Sequence, residues 1–119
     1  MSIDTLLGKV RSGQRVSFQE TIATIAEHYR YEPIRFLNGV GDDCVVNEAG
    51  TNEGSCKIFY FAKLHELTPE QTLSLFGNYY WEDVLGYPDR SDHANIRTFM
   101  KYGWQGIRYA GEALKPTDR

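Results

Sequence analysis

Residues 47–55, Asn-Glu-Ala-Gly-Thr-Asn-Glu-Gly-Ser, are the stretch whose types come nearest to a ligand site. A polar, glycine-rich turn that opens straight into an apolar run offers unpaired backbone N–H groups and the positive end of a helix dipole. Anions bind at such places. Asn47, Asn52 and Ser55 would position the ligand, and Glu48 is the carboxylate placed to move a proton if the loop lines a cleft. The stretch is not the phosphate loop of nucleotide hydrolases. That loop needs a lysine and then Ser or Thr directly after its second glycine, whereas Gly54 is followed by Ser55-Cys56-Lys57. Asn, Gly and Ser are also what a tight turn and a helix cap require, and this plainer reading competes with the site.

Asp92-His93 with Asn95 and Arg97 forms a second cluster at the expected start of a helix. Asp92 would orient His93 as a general base. Arg97 would grip a carboxylate or phosphate with its forked guanidinium, and Asn95 would add a polar contact. The competing reading is an Asp cap, a surface His and a surface ion pair. Cys56 falls in the first turn of the helix expected after Ser55. There a thiolate is favoured and, with His65 or His93 near, could act as a nucleophile. Most free cysteines are instead small buried hydrophobes. No second carboxylate stands at a spacing that would make a glycosidase pair with Glu48. His28, His65, His93, Cys44 and Cys56 show no zinc-type spacing, so we expect no metal and no cofactor.

Helices must carry these residues. Ser2 can cap a first helix whose inner face is Leu6, Leu7 and Val10, with Gly13 as its stop. Ser17-Phe18-Gln19-Glu20 is a capping box, followed by Phe18, Ile22, Ile25 and Tyr29 on one apolar face. Pro33 ends that helix. Ile34 to Leu37 alternates, Asn38-Gly39 signals a turn, and Cys44-Val45-Val46 could return as a partner strand. The run from Cys56 to His65 is long enough and apolar enough to be a central helix begun at Ser55. Thr68-Pro69-Glu70-Gln71 starts another helix, which Gly77 ends. A short helix is expected from Tyr79 to Leu85. Ser91 or Asp92 can cap the last long helix, with Ile96, Phe99, Met100 and Trp104 as its buried stripe. Ile107-Arg108-Tyr109 would be an edge strand. The fold class is α+β, mainly helical: five or six helices around a small antiparallel sheet, one domain over 1–119 with a mobile tail from about residue 112.

Composition removes several functions. The net charge is −3 with a pI near 5.6, and Lys and Arg are scattered, which argues against nucleic acid and against anionic membrane surfaces. The longest apolar run, Ile58 to Ala62, is too short to span a bilayer, and the first residues lack the plan of a secretory signal. The cytoplasm is the expected compartment, and there Cys44 and Cys56 would stay reduced.

In combination, Phe18-Gln19-Glu20-Thr21-Ile22, the run from Val46 to Phe59, Leu75-Phe76-Gly77-Asn78-Tyr79-Tyr80, and Asp92 to Met100 with Gly103-Trp104 after it resemble the HopJ type III effector family. The resemblance spans nearly the whole chain. It implies a bacterial protein named after effectors that a type III apparatus delivers into plant hosts. It implies no established enzymatic activity and no agreed active site to carry over.

Two functions follow. In the first the protein is an effector that acts through contacts with a host protein, and Tyr79, Tyr80, Trp81 and Trp104 would be exposed as a patch. In the second it is a small enzyme or a binder of a small anionic ligand. There, residues 47–55 and 92–97 would meet in one polar cleft, with His93 or Glu48 moving protons. If the two stretches lay on opposite faces, the second function would fall.

Overall fold

The computed structural model describes residues 1–117. Helix α1 (Ile3–Arg11) begins where the Ser2 hydroxyl accepts from the Thr5 amide, and it buries Leu6, Leu7 and Val10. Helix α2 (Phe18–His28) begins on the expected capping box, with Ser17 and Glu20 satisfying each other's amides. It ends one residue before Tyr29. The tyrosine assigned above to its apolar face instead opens strand β1 (Tyr29–Tyr31). That strand pairs antiparallel with β5 (Leu114–Pro116), Tyr31 opposite Leu114.

This pairing also corrects the reading of the tail. Ala113 and Leu114 are buried, and Glu32 donates its amide to the Ala113 carbonyl, so the chain is tied down well past residue 112. The physical reason is that β1 needs a partner for its backbone groups, and the near-terminal segment supplies it. Of the expected tail, Asp118 and Arg119 lie outside the described residues.

The expected hairpin forms a second sheet. β2 (Phe36–Asn38) lies between β3 (Val45–Asn47) and the edge strand β4 (Arg108–Tyr109), all antiparallel. Phe36 faces Asn47 on one side and Tyr109 on the other. There are thus two small sheets rather than one. The class is α+β and mainly helical, as the residue pattern indicates.

Helix α3 (Glu53–Leu64) runs through the middle and buries Cys56, Ile58, Phe59, Phe61 and Ala62. Phe59 packs on Phe36, Phe76 and Phe99, the last at 4.8 Å between ring centroids. Removing a ring this buried costs about 3–5 kcal/mol. Helix α4 (Pro69–Ser74) starts on the capping box of Thr68 and Gln71. A π-helical turn (Tyr79–Val84) follows, then α5 (Ala94–Tyr102) and a 3₁₀ turn (Gly103–Gly106). Ile96 and Phe99 of α5 are buried, but Met100 is 44% exposed and lies off the expected stripe. Gly77, at φ 62°, sits where a side chain would meet the Phe18 amide at 2.6 Å. That close approach fixes where α2 starts and so where Phe18 points.

Candidate functional site

The two polar stretches meet. Asn47, the last residue of β3, and Asn95, in the first turn of α5, are both buried and exchange side-chain hydrogen bonds of 3.0 and 2.9 Å. Asn52 donates to the Asn47 side-chain oxygen at 2.7 Å. Asn38, fully buried at the end of β2, donates to the Asn95 side-chain oxygen at 3.0 Å and to its backbone carbonyl at 2.8 Å. The Asn38 side-chain oxygen has no partner among the described residues. Four amides therefore bind the loop before α3 to the start of α5. Among packed aromatic rings such a network is stable only because nearly all its members are paired.

The loop gains its shape from a turn in which the Thr51 amide and hydroxyl both donate to the Glu48 carbonyl. Asn52 then adopts the left-handed conformation, φ 49°, and α3 begins at Glu53. His93 does the same before α5, with φ 53°. These two positions overturn the expected caps. Neither Ser55 nor Ser91 or Asp92 caps a helix, and among the described residues no side chain caps α3 or α5. Among the described residues, the backbone N–H groups of Glu53, Gly54 and Ser55 and of Ala94, Asn95 and Ile96 find no protein acceptor. By contrast, Ser2, Ser17 and Thr68 cap α1, α2 and α4.

Both uncapped starts open on one cleft of about 340 Å³, with Asn52, Gly54 and Ser55 on the α3 side and His93, Asn95 and Ile96 on the α5 side. Phe18 and Tyr79 wall it. The His93 ring stands 5.2 Å from that of Tyr79, and its Nε2 is 3.1 Å from a carboxylate oxygen of Asp83. The carboxylate that orients His93 is thus Asp83, not Asp92.

Asp92 serves Arg97. The Arg97 guanidinium donates to the Asp92 carboxylate at 2.8 Å and to the backbone carbonyls of Asp92, Pro88 and Asp83. This bond to Arg97 holds the Asp92 carboxyl below its usual range. Arg97 therefore braces the connection before α5 and lies outside the cleft lining. Glu48 is on the surface, 3.5 Å from Arg35, and also lies outside it. Cys56 is buried and its thiol donates to the Ile34 carbonyl at 3.7 Å. Because α3 starts at Glu53, Cys56 comes after the free amides, its own amide already bonded to the Asn52 carbonyl. Burial pushes its thiol up, opposite to the shift a nucleophile needs. Both cysteines are free.

The structure thus brings together Asn47, Asn52, Ser55, His93 and Asn95, and leaves Glu48, Cys56 and Arg97 elsewhere. Asn38, Asp83, Phe18 and Tyr79 belong with the site and were not read as such from the sequence. Asn38 carried one legible signal: two residues after Phe36, it falls on the same face of the strand. The distance from Asp83 to His93 along the chain carried none. Among the described residues no cluster of three or more His, Cys, Asp or Glu side chains could hold a metal, and no helix is long and apolar enough to cross a membrane.

Fold and cleft together define a mainly helical α+β protein with a small polar cleft at the meeting of two helix starts. Residues 3–114 match the model of the HopJ type III effector protein family, and the chain belongs to that family. A crystal structure of the unknown-function protein VPA0580 superposes with a TM-score of 0.92 at 41% sequence identity, covering 98% of this chain and 95% of that one. No curated protein matches the chain.

Proposed function

We propose that this protein binds a small anionic ligand in the cleft between the starts of α3 and α5. The observation that carries the reading is the amide pair of Asn47 and Asn95, which holds two uncapped helix starts against one cavity. Free N–H groups of two helices converge there, and each start adds the positive end of its dipole. His93 holds strained left-handed backbone at the cleft edge without making a cap in return, a pattern that clusters at ligand sites. Asn52, Ser55 and Asn95 would orient the ligand, and the His93–Asp83 pair would hold or move a proton.

The exposed aromatic patch that a contact protein needs finds less support. Of its four residues Tyr79 is exposed, but Tyr80, Trp81 and Trp104 are half-buried, and Trp104 donates its indole N–H to the Leu67 carbonyl. The family description supports delivery of the protein from a bacterium into a host cell as the setting in which the ligand is met. A type III secretion assay in such a bacterium tests that setting separately.

The binding reading is tested by titrating inorganic phosphate into the labelled protein and following backbone amide resonances. We expect Gly54, Ser55, Ala94, Asn95 and Ile96 to move along one saturation curve while the capped start of α4 stays still. Shifts spread over unrelated surface, or none in the millimolar range, would overturn it.

A further inference from the structure

The cleft is far larger than a bare oxyanion fills. Its volume of about 340 Å³ falls within the range of about 300–1,000 Å³ typical of pockets for small organic molecules. What lines the rest is aromatic. Phe18 and Tyr79 meet edge to face at 4.9 Å, and Tyr79 meets His93 at 5.2 Å, so three rings stand in a row beside the helix starts.

Tyr79 is 39% exposed, and its hydroxyl makes no hydrogen bond among the described residues. Its ring is therefore open apolar surface at the edge of a polar cleft. Phe18 lies directly over the start of α3. A side chain at Gly54 would meet its ring at 2.9 Å, so a larger residue at this ordinary helical position pushes the Phe18 ring aside. The same two rings also line a second cavity of about 360 Å³, together with Arg15, Gln19 and Asn78. Arg15 rests on the Trp81 ring at 4.3 Å and makes no ion pair among the described residues.

We infer that the ligand carries a flat aromatic ring, seated against Tyr79 and the neighbouring Phe18 and His93 rings. The ligand class is an aryl anion, with the charged group at the helix starts and the ring on the wall. This assignment rests on the anion reading above and adds the ring. A flat ring gains edge or offset stacking on such a wall and covers the exposed face of Tyr79, whereas an aliphatic group of equal size gains only the burial.

The experiment compares inorganic phosphate, phenyl phosphate and phenol by amide and aromatic chemical shifts, in the intact protein and in Tyr79→Leu and Gly54→Ala. We expect phenyl phosphate to bind about tenfold more tightly than phosphate, moving both the helix-start amides and the Tyr79 ring protons. In Tyr79→Leu the advantage should shrink to about twofold, because leucine keeps the apolar cover and loses the stacking. Gly54→Ala displaces the Phe18 ring and should weaken phenyl phosphate as well. Amide resonances remote from the cleft report that both variants are folded. If phosphate and phenyl phosphate bind equally in the intact protein, the ring is wrong and the anion reading stands. If phenol binds as tightly as phenyl phosphate without moving the helix-start amides, the ring and the anion do not share a seat and the inference is overturned. If neither phosphate nor phenyl phosphate moves those amides, the anion reading falls and this inference with it.

Discussion

Asn47 and Asn95 form a buried reciprocal amide pair, each donating to the side-chain oxygen of the other at 3.0 and 2.9 Å. Each oxygen also accepts a second hydrogen bond, from Asn52 and Asn38 respectively. Replacing either member by alanine leaves the buried side-chain NH2 of its partner without that acceptor, while the partner's oxygen keeps its second bond. Asn47→Ala and Asn95→Ala should each cost about 2–4 kcal/mol, and the double variant much less than the sum, with a coupling of about 1–3 kcal/mol. Urea unfolding followed by tryptophan fluorescence measures all three. Additive losses would mean that the pair is incidental to how the loop is held.

Arg97 offers a contrast, because its type suggested ligand binding and its surroundings suggest architecture. Its guanidinium closes the connection between Asp83 and Asp92 through three backbone carbonyls and one carboxylate, and its side chain is only 15% exposed. Arg97→Ala should destabilise by about 2 kcal/mol, and Arg97→Lys should recover less than half of that, since an ammonium cannot span the same acceptors. The phosphate titration of the Lys variant should keep its helix-start response. A lost response with stability unchanged would return Arg97 to the ligand.

What the sequence discloses about this molecule follows a physical divide. Helix starts set by local side-chain chemistry were legible: Ser2, Ser17 with Glu20, and Thr68 with Gln71 all act as their spacing indicates. The starts of α3 and α5 were not, because Asn52 and His93 hold left-handed backbone that no local rule assigns to them. Strand β1 was read as helix, since three residues carry little pattern and their partner comes from the far end of the chain. At the site, the two polar stretches were visible as stretches. Their meeting depends on Asn38 and Asn95 and on where the sheet sets α5, and Asp83 comes to His93 only through the path of the intervening turn.

His65 should make the fold sensitive to mild acid. It closes α3, its Nε2 lies 2.7 Å from the Tyr29 hydroxyl, and Arg11 donates to its carbonyl. Burial, reinforced by the positive charge of Arg11 and opposed by Asp4, holds its pKa below the ordinary 6.5. The unfolded chain therefore takes up a proton first as pH falls. Stability is full above the unfolded value and declines as pH drops from about 6.5 toward the folded one. His65→Gln, which can still bond to Tyr29, should flatten this slope in unfolding free energy between pH 7 and the carboxylate range. Below that range Glu20, held low chiefly by the Ser17 amide, and Asp43 and Asp92, held low by Lys101 and Arg97, add a second decline in both proteins. An unchanged slope in the variant would assign the mild-acid loss to another group.

Asn52, Glu66 and His93 share left-handed backbone, with φ of 49°, 54° and 53°, yet their side chains differ in what they do. Glu66 follows α3, where its amide donates to the Lys63 carbonyl and that of Leu67 to the Ala62 carbonyl, the helix ending that glycine serves best. Its side chain is exposed, so Glu66→Gly should gain about 1 kcal/mol by relieving the backbone. His93→Gly relieves the same strain but loses the bond to Asp83 and the contact with Tyr79, and should be neutral to within about 0.5 kcal/mol. Asn tolerates this backbone well, so Asn52→Gly relieves little and loses the bond to Asn47; it should cost about 1 kcal/mol. The order Glu66, His93, Asn52 in unfolding free energy is the quantity to measure. Equal gains at all three positions would mean that neither cleft side chain repays its strained backbone through the fold. The case for Asn52 and His93 would then rest on the ligand alone.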